Sequence, residues 1–389
     1  MKIHRILFLF CVFVTTQIVA DSALPGKKTV CLNMIVKDES PVIRRCLESV
    51  KAIIDYWVIV DTGSTDGTQE IIREFMKDIP GELHEKPWKN FAYNRNESLF
   101  LAQGKSDYIL FADADEEFFF TEKFKMPILE KDYYNIAIED TNVSIQHIQI
   151  VKSILNWKWV GVLHEGIMCP EAKSFDLIEG VVISQKSKDG NRAQDPTRNL
   201  KDIQILETAL KENPSNSRYV FYLAQTYFNN QDYHLALKNY ERRIAMGGKN
   251  DEVFHSLHLS GLIKEFYGYP FEEVLKAYSS AYLCNPERSE TLYHLGLSYF
   301  RQKNYVLGYS FLKLAASIPL PSKASFVKRF VYEYGASLEA ANCAVFLGKE
   351  NESLGVYRKL LESQNIPLDV RETIKNAVAE LELRKNFEL

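Results

Sequence analysis

The 389-residue chain has no Lys/Arg-rich stripe. Its 47 basic and 51 acidic side chains leave a formal charge of −4 and a pI near 6.1. That balance argues against a polyanion-binding protein. Six cysteines are present, but none falls in a Cys-x-x-Cys or other zinc-ligand spacing. Cys11 sits in the N-terminal apolar stretch, and the other five (31, 46, 169, 284 and 343) are odd in number, so no disulfide set is assigned. Cys31 lies within an apolar run and reads as a buried thiol. Beyond the N-terminus, no run approaches the roughly 20 apolar residues needed to cross a bilayer. A Gly-rich phosphate loop with a trailing Lys is also missing.

The N-terminus stands apart from the rest. Lys2 and Arg5 precede an apolar stretch from Ile6 to Ala20, broken by Thr15, Thr16 and Gln17 and followed by small residues. This fits a signal peptide over residues 1–20 with cleavage near Ala20, the alternative being an uncleaved anchor. The leader points to the secretory pathway, lumenal or secreted. There Asn96, Asn142 and Asn351, each in an Asn-x-Ser sequon, are glycosylation acceptors to be tested.

The length leaves room for two domains. From 29 to about 185, strand-like and helix-like segments alternate. "TVCLNMIV" is a continuous apolar run, followed by "SPVIRRCLESVKAI" with Ser40 as N-cap and Pro41 in the first turn. "YWVIVDTGS" is a second buried strand, followed by the helix "TDGTQEIIREFMKDI" with Asp66 as cap and Gln69 three residues on. "NFAYNRNESLFLAQ" is a third helix, leading into "DYILFAD". The pattern predicts a mostly parallel sheet with helices on both faces. Ligands in such sheets sit beyond the carboxyl ends of the strands. Asp38, Glu39, Asp61, Asp113 and Asp115 all fall at those ends.

From about 199 the strand signal stops. "FYLAQTYFNNQDYHLALKNYERRI" and "LYHLGLSYFRQKNYVLGYSFLKLA" place Leu223, Ala224, Tyr227, Ala236 and Tyr240, then Leu295, Gly296, Tyr299, Gly308 and Leu312, as a tetratricopeptide (TPR) repeat places its helix-packing residues. Pro214 and Pro286 stand 72 positions apart, close to two repeats of 34 with about four residues inserted, and Pro286 to Leu320 is 34 again. "LGKENESLGVYRKLL" reads as the second helix of a further unit. The tyrosine stripe at helical spacing is core rather than a ligand box.

Two segments carry chemistry. In Asp113-Ala114-Asp115, alternate side chains of an extended segment share a face, so both carboxylates can enter one cleft. Hard oxygen ligands suit Mg²⁺ or Mn²⁺, with phosphate oxygens completing the set. The bland readings are a solvated acidic loop, or a calcium site using Glu116 and Glu117. In "VIVDTGSTDGT", Asp61 ends a buried strand and Thr62, Gly63 and Ser64 turn the chain. That arrangement suits a nucleotide base or ribose, or is an ordinary strand-to-helix turn.

"CLNMIVKDES", "VIVDTGSTDGT", "NFAYNRNESL", "YILFADADEE" and "WKWVGVLHEGI" occur in the order and spacing of family 2 glycosyltransferases of the GT-A fold. The resemblance is closest to the branch in which a TPR array follows the catalytic domain. It implies a GT-A domain at 27–190 and a TPR-like helical domain at 195–389. It also implies a nucleotide-sugar donor, with Glu39 and Asp61 on the nucleoside and Asn90 and Arg95 near the donor. Asp113 would face the ribose, Asp115 the metal (Mn²⁺ or Mg²⁺), and His164 would complete the metal site. Glu165 is the expected general base, with Glu139 and Asp140 as rivals, and Trp157 and Trp159 are either an acceptor platform or packing. A strand histidine common in that branch is replaced here by the neighbourhood of Gln185 and Lys186. The expected activity is metal-dependent, inverting transfer from a UDP-sugar, or another nucleotide sugar, to a glycan or protein acceptor that the TPR array helps to hold. The competing reading is a TPR scaffold carrying an inactive sugar-nucleotide fold.

Overall fold

The computed structural model describes residues 26–140, 143–184, 189–248, 250–321 and 326–387. The leader residues 1–20, Asn142, Gln185 and Lys186 lie outside them, as do the side chains of Glu139 and Asp140.

The first half begins β1 (Val30–Val36), α1 (Ile43–Val50), β2 (Tyr56–Asp61), α2 (Thr68–Phe75), β3 (Gly81–Glu85), α3 (Phe91–Ala102) and β4 (Tyr108–Phe111). It continues as strands only: β5 (Glu117–Phe120), β6 (Tyr133–Asp140), β7 (Val143–Lys152), β8 (Lys158–Val160), β9 (Gly166–Met168) and β10 (Phe175–Ser184). The expected alternation of strand and helix therefore ends at β4. Beyond it, segments such as β6 and β7 pair as antiparallel neighbours that need no helical crossover.

Eight strands form one mixed sheet in the order β3-β2-β1-β4-β7-β6-β10-β5, and β8 and β9 form a separate hairpin. β3, β2, β1 and β4 are mutually parallel, while β7 runs antiparallel to both β4 and β6. The register sets Val36 beside Asp61 and Asn33 beside Phe111, so β1, β2 and β4 release their acidic loops at one edge. Helix α1 starts at Ile43 rather than at Ser40. The N–H groups of Val42 and Ile43 close a turn on the Glu39 carbonyl, and the Ser40 N–H is committed to Asp66 at 2.9 Å.

Burial explains the two layers of the sheet. Leu32, Met34, Ile59 and Leu110 pack with Ile43, Leu47 and Ile72 on one face, and Cys31, Val58 and Ile109 pack with Leu99 and Trp157 on the other. Strands covered on both faces are continuously apolar for this reason.

Helices follow: α4 (Asn191–Gln194), α5 (Arg198–Glu212), α6 (Ser217–Asn229), α7 (Tyr233–Ala245), α8 (Asn250–Phe266), α9 (Phe271–Cys284), α10 (Glu290–Arg301), α11 (Tyr305–Ser317), α12 (Ala336–Val345), α13 (Glu350–Glu362) and α14 (Leu368–Phe387). From α5 onward each helix packs on the next, which is the nearest-neighbour packing of a solenoid. The small residues act as spacers. A Cβ added to Gly296 would lie 2.6 Å from Leu312 Cγ, and one on Gly308 would lie 3.2 Å from the Gly296 carbonyl oxygen. Tyr227, Tyr240, Tyr278, Tyr309 and Tyr357 are buried in the stack. The two halves share a core, in which Leu163 and Val162 pack with Ile203, Leu206 and Phe221.

Candidate active site

The loops after β1 and β2 are laced together. Asp38, in the left-handed region at φ 52°, accepts from the Thr65 N–H at 2.7 Å and donates its own N–H to Ser64 Oγ at 2.8 Å. The Glu39 N–H donates to Thr68 Oγ1 at 2.8 Å. Asp66 accepts from Ser40 and from both the N–H and hydroxyl of Thr68. Burial works against the Asp66 charge, but these donors outweigh it and hold the carboxyl at about 2. Asp61, fully buried, spends Oδ1 on the N–H groups of Gly63 and Ser64 (both 2.8 Å) and on Gln69 Nε2 (3.0 Å). Its Oδ2 is buried with no hydrogen-bond partner among the described residues. Such an acceptor carries a cost of about 1–3 kcal/mol until something donates to it.

Arg95 organises the end of β4. From α3 its Nε donates to Glu165 Oε1 and its Nη2 to Asp113 Oδ1, both at 2.6 Å. Its side chain is only 12% exposed and lies over the Trp159 ring at 5.0 Å. Burial opposes the guanidinium charge, yet Asp113 and Glu165 hold it protonated well above its ordinary range. Glu165 Oε2 takes no partner among the described residues. Asp115 forms no ion pair among them, and burial, then Asp113, raise its pKa.

Glu39, Asn90, Arg95, Asp113 and Asp115 line one cleft of about 1250 Å³. Its far wall is helical, with Lys201, Gln204, Thr208 and Glu212 repeating at helical spacing along the exposed face of α5. Burial pushes the Glu39 carboxyl up to about 7. The Asn191 N–H, 3.1 Å from Oε2, pulls the other way, while Asp115, Asp113 and Asp66 add to the rise. Gly190 closes the cleft over Asp115, where a Cβ would fall 2.8 Å from Oδ2.

Several expected residues sit elsewhere or act differently. His164, Glu165 and Asp61 do not line this cleft: Glu165 is tied to it through Arg95, and Asp61 precedes Thr62, which does line it. The His164 ring stacks on Tyr222 of α6, with centroids 4.1 Å apart. His164 is exposed as a residue, yet its surroundings desolvate the imidazole and lower its pKa to about 4, Asp202 opposing and Arg218, Arg192 and Arg198 reinforcing the drop. Among the described residues, no three His, Cys, Asp or Glu side chains are gathered as metal ligands. Trp157 is buried, donates to the Lys152 carbonyl and meets Tyr133 edge-on. Trp159 packs between Phe111 and Arg95. Both are packing residues rather than an acceptor platform, because β8 and β9 fold as a hairpin against α3. Asn90 caps α3, accepting from the Tyr93 N–H at 2.9 Å. Asn96 spends both ends of its amide on the Trp159 backbone, so a glycan there would break the tie between α3 and β8.

Sequence reasoning missed Gly190, Asn191 and the α5 wall, which come close to the acids only through the tertiary fold. It also missed Asn94, fully buried, which accepts from the Lys89 N–H and donates to the Pro87 carbonyl, fixing the turn before α3. Its position between two apolar turns of α3 was the available signal.

Residues 31–130 match the family model "Glycosyl transferase family 2". SPbeta prophage-derived glycosyltransferase SunS of Bacillus subtilis is 26% identical over 228 residues, covering 54% of this chain and 51% of that protein. The chain thus spans about half the length of that curated relative. An uncharacterized glycosyltransferase of Rickettsia prowazekii is 36% identical over 90 residues, 23% of this chain and 29% of its own. Among solved structures, MamA overlaps 44% of this chain and 93% of its own at 17% identity, with a TM-score of 0.36.

Proposed function

Residues 31–130 form a family 2 glycosyltransferase domain, and from that premise we propose that the chain is a metal-dependent, inverting glycosyltransferase using a nucleoside-diphosphate sugar. The observation that carries this reading is the convergence of Glu39, Arg95, Asp113 and Asp115 on one cleft at the carboxyl edge of β1 and β4. Asp61 stands beside it with a buried oxygen unpaired among the described residues. That oxygen suits a base with a ring N–H, as in uracil or guanine, and a UDP-sugar is the donor tried first.

The acids fit a divalent cation of the kind that takes one or two carboxylates and completes its shell with substrate phosphate. Asp115 and the remaining oxygen of Asp113 would hold it. His164, stacked on Tyr222, is not offered as a ligand. When bound, the cation would neutralise charge on the departing diphosphate. Arg95, desolvated and held protonated, adds a fixed positive charge at the same edge. An acceptor hydroxyl or thiol attacks the anomeric carbon, and the carbon–oxygen bond to phosphate breaks with its electron pair leaving on the diphosphate. Glu165, which lies behind Arg95 rather than in the cleft lining, would take the acceptor proton on Oε2, since Oε1 is held by Arg95.

The acceptor, glycan or protein, lies against the α5 face. Gln204, Thr208 and Glu212 offer amide, hydroxyl and carboxylate groups there without partners among the described residues. On the leader reading of residues 1–20, transfer takes place in the secretory-pathway lumen. The test is release of UDP or GDP from UDP-glucose, UDP-N-acetylglucosamine or GDP-mannose with Mn²⁺ present, together with the anomeric configuration of any product by NMR. Nucleotide release by the wild type but not by Asp115→Ala is expected. Equal release by both proteins, or a product retaining its configuration, contradicts the reading.

A further inference from the structure

Resting on that reading, we propose that Arg218 and Tyr222 of the helical array are positioning residues for the transfer step, acting through the backbone of His164. His164 is a non-glycine residue in the left-handed region, at φ 50°. Such a conformation persists only where the surroundings over-determine it. Two side chains one helical turn apart on α6 do so here. Arg218 Nη2 donates to the His164 carbonyl at 2.8 Å, and the Tyr222 ring lies on the imidazole with centroids 4.1 Å apart and planes within 20°.

The clamp is itself anchored. The Arg218 guanidinium lies over the Tyr222 ring at 4.8 Å and pairs with Glu252 at 3.7 Å. The other oxygen of Glu252 is held at 3.0 Å by Arg243, which is fully buried. On the opposite side of His164, Leu163 is sunk in the core built by α5, α6 and α7. Backbone freedom on both sides of the turn is therefore removed by the array.

The next residue is Glu165. Its Oε1 accepts from Arg95 Nε at 2.6 Å, and Arg95 reaches on to Asp113. Gly161, at φ 115°, folds the turn so tightly that an added Cβ would meet Glu165 Cα at 3.3 Å. A change of backbone conformation at His164 would thus swing Glu165 away from Arg95, which Asp113 still holds at 2.6 Å. The first repeat is in this way part of the catalytic apparatus, beyond any part it has in holding the acceptor. Neither Arg218 nor Tyr222 lines the cleft, so donor binding does not depend on them directly.

The test uses the full chain carrying Tyr222→Ala, Arg218→Ala or the conservative Tyr222→Phe. UDP release from UDP-glucose, and GDP release from GDP-mannose, give kcat and KM. Titration calorimetry with UDP and GDP in Mn²⁺ gives binding, and thermal unfolding reports the fold. The expected result is a kcat lowered at least tenfold in both alanine variants, donor KM and nucleotide affinity within about threefold of wild type, and near-normal kcat in Tyr222→Phe, which keeps the stacked ring. Unchanged kcat in a folded Tyr222→Ala overturns the proposal. So does a kcat loss matched by equal losses of affinity and thermal stability, which marks general loosening. A wild type that neither binds nor releases nucleotide sinks the transferase reading itself, and this proposal with it.

Discussion

The two carboxylate oxygens of Asp61 have different tasks. Oδ1 is consumed by three N–H donors that shape the turn after β2, and Oδ2 is buried and unpaired among the described residues. Asp61→Asn keeps the shape and, with its carbonyl held by the three donors, presents an amide N–H where Oδ2 was. Nucleotide affinity should fall about ten- to a hundred-fold, the loss of one buried acceptor, while the melting temperature changes little. Calorimetry with UDP and GDP reads the first and thermal unfolding the second. Gly190→Ala tests the other end of the cleft. The glycine has an ordinary backbone conformation (φ −65°), so only the Cβ contact with Asp115 is new. Displacing that carboxylate by a fraction of an ångström should lower turnover about ten- to a hundred-fold in a folded protein. An unchanged rate would show that Asp115 need not stand where it does. These acids were legible in the sequence because each ends an apolar strand. The tie from Arg95 to Glu165 was not, since it depends on how a turn some 70 residues away closes.

At the scale of elements, the TPR spacing translated directly into helix pairs because its small residues have a steric meaning. Gly296 allows α10 and α11 to approach, and a methyl there meets Leu312 Cγ at 2.6 Å and backbone atoms at 3.1 Å. Gly296→Ala should destabilise the array by about 1–3 kcal/mol, read as a lowered denaturant midpoint. A stability equal to wild type would mean that the helices slide apart freely. The β8–β9 hairpin was harder to read. Its three-residue strands are too short to show a period of two, and two tryptophans in "WKWVG" resemble a sugar platform as much as a packed ribbon. Burial of Trp157, and of Trp159 against Phe111, decides for packing. The antiparallel pairings of β7 with β4 and β6, and of β10 with β5, were hidden for a related reason: strand-like segments do not announce which neighbour they pair with.

At the scale of the whole molecule, the array buries histidines as neutral rings. Burial lowers His255 to about 3 and His294 to about 4, and holds His258, whose Nδ1 has no partner among the described residues, well below its ordinary value. The unfolded chain takes up these protons near pH 6.5, whereas the folded chain refuses them. Stability is therefore full above about pH 6.5 and falls as pH drops toward 4, by up to about 1.4 kcal/mol per pH unit for each histidine. Thermal unfolding from pH 7.5 to 4.5 should show this slope, and His258→Phe should flatten it. A slope equal to wild type in that variant would show that His258 titrates normally when folded.

The cleft joins the two halves, with acids from the sheet on one side and α5 on the other. The claim that it binds a nucleoside diphosphate through a divalent cation is tested most directly by titration calorimetry of UDP, GDP and CDP into the protein lacking residues 1–20, with and without Mn²⁺, beside Asp115→Ala. The predicted result is Mn²⁺-dependent binding of UDP or GDP, weaker or absent for CDP, and lost in the variant. Binding of none of the three by the wild type, or binding that ignores both the metal and Asp115, would contradict it and leave the helical array as the working part of the protein.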